Sequence, residues 1–125
     1  MKSLDLGGPM DATPSHRVDL PQVIATYQAA HDRRDVSTAR AQFTADATVV
    51  DDGHTYKGSA GVESFLRTAA AEYTFTRTLI AAEEQAPDRW LVTNHLQGDF
   101  PGGDVDLSYE FRLTNGLIAR LTIAP

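Results

Sequence analysis

Asp51 is the residue of this chain best placed to move a proton. It closes the first half of the run FTADATVVDDGHTYKG from Phe43 to Gly58, in which Ala47, Val49 and Asp51 alternate with Thr48 and Val50. Side chains two apart on a strand share a face, so Asp51 points wherever Val49 points. A carboxylate on an apolar interior face is either paired or shifted in pKa. Burial raises an acid toward the range in which it can take and return a proton. Asp51-Asp52-Gly53 is equally a turn signal, and the same residues also read as a solvated hairpin tip.

Other polar groups fall on apolar faces too. Tyr27 and His31 recur with Val23 and Ile24 at helical spacing, an apolar stripe carrying two polar tips, while Gln28, Asp32, Arg33 and Arg34 lie largely off it. Asn94 belongs to the alternating set Trp90, Val92, Asn94 and Leu96. Tyr109 belongs to Val105, Leu107, Tyr109, Phe111 and Leu113, with Glu110 on the opposite face. With Phe65, these residues define a candidate cavity of Tyr27, His31, Asp51, Phe65, Trp90, Asn94 and Tyr109. Its aliphatic background is Ile24, Val49, Val92, Leu107 and Leu121. Apolar walls with a few convergent polar groups are the pattern of small-molecule sites.

Each residue also has a structural reading. Tyr27 is then a core aromatic, His31 a core histidine with one hydrogen bond, Asn94 the partner of a backbone group, and Phe65 and Trp90 wall and core. His54 and His95 read as solvated, and Arg40, Arg67 and Arg77 are not assigned to the interior. His31 could pair with Asp51, holding it ionised or replacing it as the base. A metal site needs three converging ligands, and His31 with Asp51 supplies two, so no metal is expected.

The elements that must position these groups are legible as changes of period. Residues 1–18, with Gly7, Gly8, Pro9 and Pro14, read as a flexible N-terminal arm before a single domain over residues 19–125. Asp19 or Leu20 can cap a first helix with Pro21 in its first turn. Asp35 caps a second, short helix through Val36, Ala39 and Phe43. A strand at Thr48 to Asp51 turns at Asp52-Gly53 into Thr55 to Lys57. A third helix follows, with Ser59 as its cap and Val62, Phe65, Leu66 and Ala69 facing inward. Strands are expected at about Thr74 to Ala82, Arg89 to Gly98, Val105 to Thr114 and Leu117 to Ala124, the last two joined by the hairpin turn Asn115-Gly116. Helices segregated from a largely antiparallel sheet make an α+β domain, the sheet curling around the helices.

Composition narrows the classes of function. The 17 acidic residues outnumber 11 scattered basic ones, which argues against a nucleic-acid footprint, since phosphate binding needs a basic patch or stripe. No apolar run approaches a membrane span, and the N-terminus lacks the apolar stretch of a secretory signal. With no cysteine there is no thiolate nucleophile or disulfide, and a cytoplasmic location is the default.

The order of elements and several residues resemble the nuclear transport factor 2-like superfamily, in particular the branch of SnoaL-like polyketide cyclases and ketosteroid isomerases. The resemblance covers about Leu20 to Ile123. It rests on Tyr27, the Phe-x-x-Asp-Ala-x-Val-x-Asp pattern from Phe43 to Asp51, Tyr-Lys-Gly-Ser at 56 to 59, and Phe-Arg-Leu-x-Asn-Gly from Phe111 to Gly116. It implies a cone-shaped, barrel-like fold with three N-terminal helices packed in a curved, mostly antiparallel sheet. In ketosteroid isomerases an aspartate on the first strand shuttles a proton and a tyrosine on the first helix hydrogen-bonds the enolate oxygen, roles that fall on Asp51 and Tyr27. Their second oxyanion donor, a protonated aspartate, falls on Tyr109, which departs from the pattern but still offers an O–H donor. The inward Arg, Asn and Asp set of limonene-type epoxide hydrolases is not recognised here.

The expected chemistry is cofactor-independent proton transfer next to a carbonyl of a small hydrophobic molecule. Asp51 acts as base, and Tyr27, Tyr109 or Asn94 steadies the oxyanion, as in an isomerase, cyclase or dehydratase. The alternatives are a non-catalytic ligand-binding module and a dimeric scaffold working through the outward sheet face of Ser108, Glu110, Arg112, Arg120 and Thr122. The resemblance implies a homodimer under all three.

Overall fold

A computed structural model describes residues 20–125, so the expected arm over residues 1–18 lies outside the described residues. Helix α1 (Gln22–Asp32) starts one step later than expected. Pro21 itself occupies the N-cap, its carbonyl accepting from the amides of Ile24 and Ala25. No side chain caps this helix. Val23, Ile24, Tyr27 and Ala30 are buried along its stripe, and Gln28, expected off that stripe, is buried beside them. Asp35 caps α2 (Val36–Arg40) as its sequence position suggests, Oδ1 accepting from the Thr38 amide at 3.1 Å.

The second helix stops short of Phe43. The Gln42 carbonyl accepts from the Ile118 amide at 2.8 Å, and Phe43 opens strand β1 (Phe43–Asp51) instead. Pairing with a distant strand wins over another helical turn because it buries the Phe43 ring edge-on against Tyr27, centroids 5.4 Å apart. Asp52 and Gly53 both take positive φ, the two-residue turn that leads into β2 (His54–Lys57). Helix α3 (Gly58–Arg67) turns Val62, Phe65 and Leu66 inward. Ser59 is not its cap: Lys57 holds that position, and the Ser59 hydroxyl donates to the Ala45 carbonyl at 3.3 Å. A single 3₁₀ turn (Ala69–Ala71) then leads to β3 (Phe75–Ala86), β4 (Arg89–Gly98), β5 (Asp104–Thr114) and β6 (Leu117–Ala124).

The six strands form one sheet in the order β2-β1-β6-β5-β4-β3. Every pairing is antiparallel except β1 with β6. The α+β class and the mostly antiparallel sheet agree with the sequence. The sheet stays open, with β2 and β3 at its edges, and does not close into a barrel. Its inner face runs in rows. Val49, Leu121, Phe111 and Trp90 lie in register on successive strands, and Asp51, Ile123, Tyr109 and Val92 form the next row. Beyond these, Leu107, Asn94 and Leu79 align, then Val105, Leu96 and Arg77.

Candidate functional site

The register places the two most reactive groups on either side of one residue. Asp51 and Tyr109 flank Ile123 on neighbouring strands, so their Cα atoms are two strand spacings apart, about 10 Å. Tyr27 comes down from α1 between them and the filled part of the core. Its ring meets Phe43 edge-on and Phe111 at 5.9 Å and 71°. All three groups line one cavity of about 380 Å³, together with His31 and Phe65.

Two of the expected lining residues are elsewhere. Trp90 is half-buried and packs against the core one row away, beside Phe111. Asn94 is inward and fully buried, as its alternation suggests, but it does not reach the cavity. Its Oδ1 accepts from Arg77 Nη1 at 3.1 Å, and it is the distance of its side chain from the cavity lining that keeps its amide N–H from an oxyanion bound there. His31 reaches the cavity, where its ring stacks on Phe75 at 5.9 Å. It makes no ion pair with Asp51 among the described residues, and the charged groups acting on it are Asp32, Arg34 and Arg77.

Burial sets the protonation of the site. The Tyr27 phenol is pushed well above its ordinary pKa, first by desolvation and then by the charges of Tyr109 and Asp51. Tyr109 is pushed up to about 12, again chiefly by burial, although the Arg77 cation pulls the other way. Both phenols therefore keep their protons at neutral pH and remain O–H donors. Among the described residues neither hydroxyl has a hydrogen-bond partner, and both side chains line the cavity. Asp51 is half-buried. Desolvation raises its pKa, Asp52 raises it further and His54 lowers it. Loss of water also lowers the pKa of His31, which favours the neutral ring.

Arg77, left unassigned by the sequence, lies at the centre of a partly buried polar cluster. Its guanidinium donates to Asp32 through Nε at 2.9 Å and Nη2 at 2.7 Å, a two-point bridge. Nη1 donates to Gln28 Oε1 at 3.3 Å as well as to Asn94. This turns both amide oxygens toward the cation and leaves Gln28 Nε2 and Asn94 Nδ2 buried without a described partner. Alternation with Phe75 and Leu79 was the available signal that Arg77 faces inward. The rest of the wall that sequence reasoning missed includes Tyr73, Phe75 and Phe100, with Asp52 and Glu72 among the charged lining residues. Gly98 lets Phe75 sit close: a Cβ at residue 98 would lie 2.2 Å from the Thr74 carbonyl oxygen and 2.6 Å from the Phe75 Cβ. No cluster of three metal-ligating side chains occurs among the described residues, and no described helix is long and apolar enough to cross a membrane.

No family model and no curated protein matches this sequence. Solved structures do. A candidate polyketide cyclase from Sinorhizobium meliloti is 28% identical, with a TM-score of 0.79 over 84% of this chain and 95% of that one. A Catenulispora acidiphila protein of ketosteroid isomerase-like fold, determined in complex with trimethylamine, is 19% identical, with a TM-score of 0.75 over 86% of this chain and 87% of that one. A Mycobacterium tuberculosis protein in complex with estradiol-17β-hemisuccinate is 20% identical, with a TM-score of 0.69 over 82% and 90% of the two chains. An open six-stranded sheet carrying three helices and these likenesses give the chain the fold of nuclear transport factor 2-like proteins, similar to polyketide cyclase-like and ketosteroid isomerase-like structures.

Proposed function

We propose that this protein binds a small hydrophobic carbonyl compound in the cavity and moves a proton next to its carbonyl group, as an isomerase, cyclase or dehydratase. One observation carries the reading. Two buried phenols, whose hydroxyls have no partner among the described residues, line the same cavity as a carboxylate whose proton affinity burial has raised. The small molecules bound by the Catenulispora and Mycobacterium proteins support a ligand site at this fold.

In this reading the Asp51 carboxylate takes a proton from the carbon beside the carbonyl, and the C–H electron pair moves into the new C=C bond as the carbonyl oxygen gains charge. Tyr27 or Tyr109 donates to that oxyanion. A donor held in a water-poor site is worth about 3 to 4 kcal/mol in the transition state. Protonated Asp51 then returns its proton at another position, which isomerises or commits the substrate without a cofactor. Raised proton affinity makes Asp51 the stronger base once ionised. The outward sheet face leaves a homodimer as the proposed assembly, to be checked by light scattering.

Deuterium exchange tests the chemistry without knowledge of the natural substrate. A panel of aromatic and steroid-like ketones is incubated with the protein in D₂O, and exchange beside the carbonyl is followed by proton NMR. At least one member is expected to exchange faster than in buffer. Asp51→Asn is expected to abolish that gain while leaving affinity intact, and Tyr27→Phe to slow it by about 10² to 10³. Exchange in Asp51→Asn at the wild-type rate would overturn the mechanism. Ligand binding with no exchange anywhere in the panel would favour a binding module.

A further inference from the structure

The charge of the cavity narrows the class of ligand, given the small-molecule reading above. Apart from phenols, its ionisable side chains are Asp51, Asp52, Glu72 and His31. Three are carboxylates, while burial favours the neutral form of His31. No lysine or arginine lines the cavity among the described residues. Arg77 is engaged by the two oxygens of Asp32 and by Gln28 and Asn94, outside the lining.

Rings make up much of the remaining wall: Tyr27, Phe65, Tyr73, Phe75, Phe100 and Tyr109. An aromatic face carries the negative part of the ring quadrupole and attracts organic cations, more strongly where water is displaced. A cleft lined by one sign of charge with low-dielectric walls focuses its field on the ligand. At the same cavity Tyr27, 2% exposed, and Tyr109, 7% exposed, hold hydroxyls unclaimed by described residues and suited to a ligand oxygen.

We infer that the cavity selects a carbonyl compound whose apolar body also carries a tertiary or quaternary ammonium group, held by ring faces and the carboxylates Asp51, Asp52 and Glu72, and that it turns anionic ligands away. The ligand oxygen faces the phenols. A bound cation would also offset the burial penalty on Asp51 and hold it in the ionised form that accepts a proton.

Three probes of one shape and different charge test this by calorimetry on the full chain: (4-hydroxyphenyl)trimethylammonium, neutral 4-tert-butylphenol and anionic 4-hydroxybenzenesulfonate. The cation is expected to bind about tenfold more tightly than its neutral counterpart, and the anion not to bind. Glu72→Gln, at an exposed position, is expected to weaken the cation about threefold and leave the neutral phenol unchanged. Phe100→Leu separates ring attraction from carboxylate charge and is expected to weaken the cation more than the neutral probe. Equal or tighter binding of the neutral phenol would overturn the charge selection and leave the small-molecule site standing. Binding of none of the three would overturn both.

Discussion

At one end of the sheet's inner face, Phe43 and Phe111 pack on the Tyr27 ring in a core shared with Ile118 and Leu121, and none of these four residues is more than 6% exposed. At the other end Phe75, Val105, Leu107 and Tyr109, residues of the same kinds, surround about 380 Å³ of open space. The difference lies in what covers the strands. The filled end is packed by side chains from α1, β1 and the last two strands, whereas part of the open end is walled by the 3₁₀ turn, the segment up to Phe75 and the β4–β5 turn around Phe100. Tyr27 joins the two, its ring packed on Phe43 and Phe111 and its side chain also lining the cavity. Packing at one end thus fixes the donor that the other end presents, and the cost of a half-buried carboxylate is borne where packing is loosest.

Truncating a large apolar side chain at each end tests that contrast most strongly. Phe111→Ala removes a fully buried ring and is expected to cost about 3 to 5 kcal/mol in urea unfolding. Leu107→Ala, on the cavity wall, should cost about 1 kcal/mol because less apolar surface leaves water there. Equal losses would mean that the ends do not differ in packing.

The cluster between the ends comes next in size. Arg77→Leu strands Asp32, Gln28 and Asn94, and is expected to cost about 2 to 3 kcal/mol, less than for a fully buried pair because water reaches Asp32. The same change removes the cation that pulls Tyr109 down, so the phenol should titrate higher still by ultraviolet absorbance. A Tyr109 titration left unmoved would show that Arg77 does not act on the site.

Smaller effects belong to the site's own titrations. Asp51 has a raised folded pKa, so the stability it contributes is present in full below its ordinary value of 3.8 and is lost as pH rises through the higher folded value. Asp51→Asn is therefore expected to melt no lower than wild type at pH 7, an advantage that vanishes toward pH 3. His31 works in the opposite sense. Its folded pKa is lowered, so stability present above its ordinary 6.5 is lost as pH falls through the lower folded value. His31→Gln should flatten that part of the pH profile in denaturant melts.

Local signals carried most of the fold. The alternation from Val105 to Leu113, the Asn115-Gly116 turn and the Asp35 cap each depend on neighbours in sequence, and each stands where the residues put it. Phe43 misled because its spacing from Ala39 suits a helix as well as a strand; the deciding partner, Ile118, is far along the chain. Ser59 found the Ala45 carbonyl for the same reason. At the site, alternation alone brought Asp51 and Tyr109 to one face and put Asn94 inside. What Asn94 does there depends on Arg77 and Gln28, whose meeting is a product of tertiary packing. The wall of Tyr73, Phe75 and Phe100 was hidden because turn segments carry no period to read.

The basicity of Asp51 is the point on which the catalytic account turns, and carbon-13 NMR of its labelled carboxyl measures it directly as pH is varied. The account expects a midpoint above that of an exposed aspartate, in a chain where 4-tert-butylphenol shifts the Asp51, Tyr27 and Tyr109 signals together. A midpoint at or below the ordinary value of 3.8, unmoved by the phenol, would contradict it.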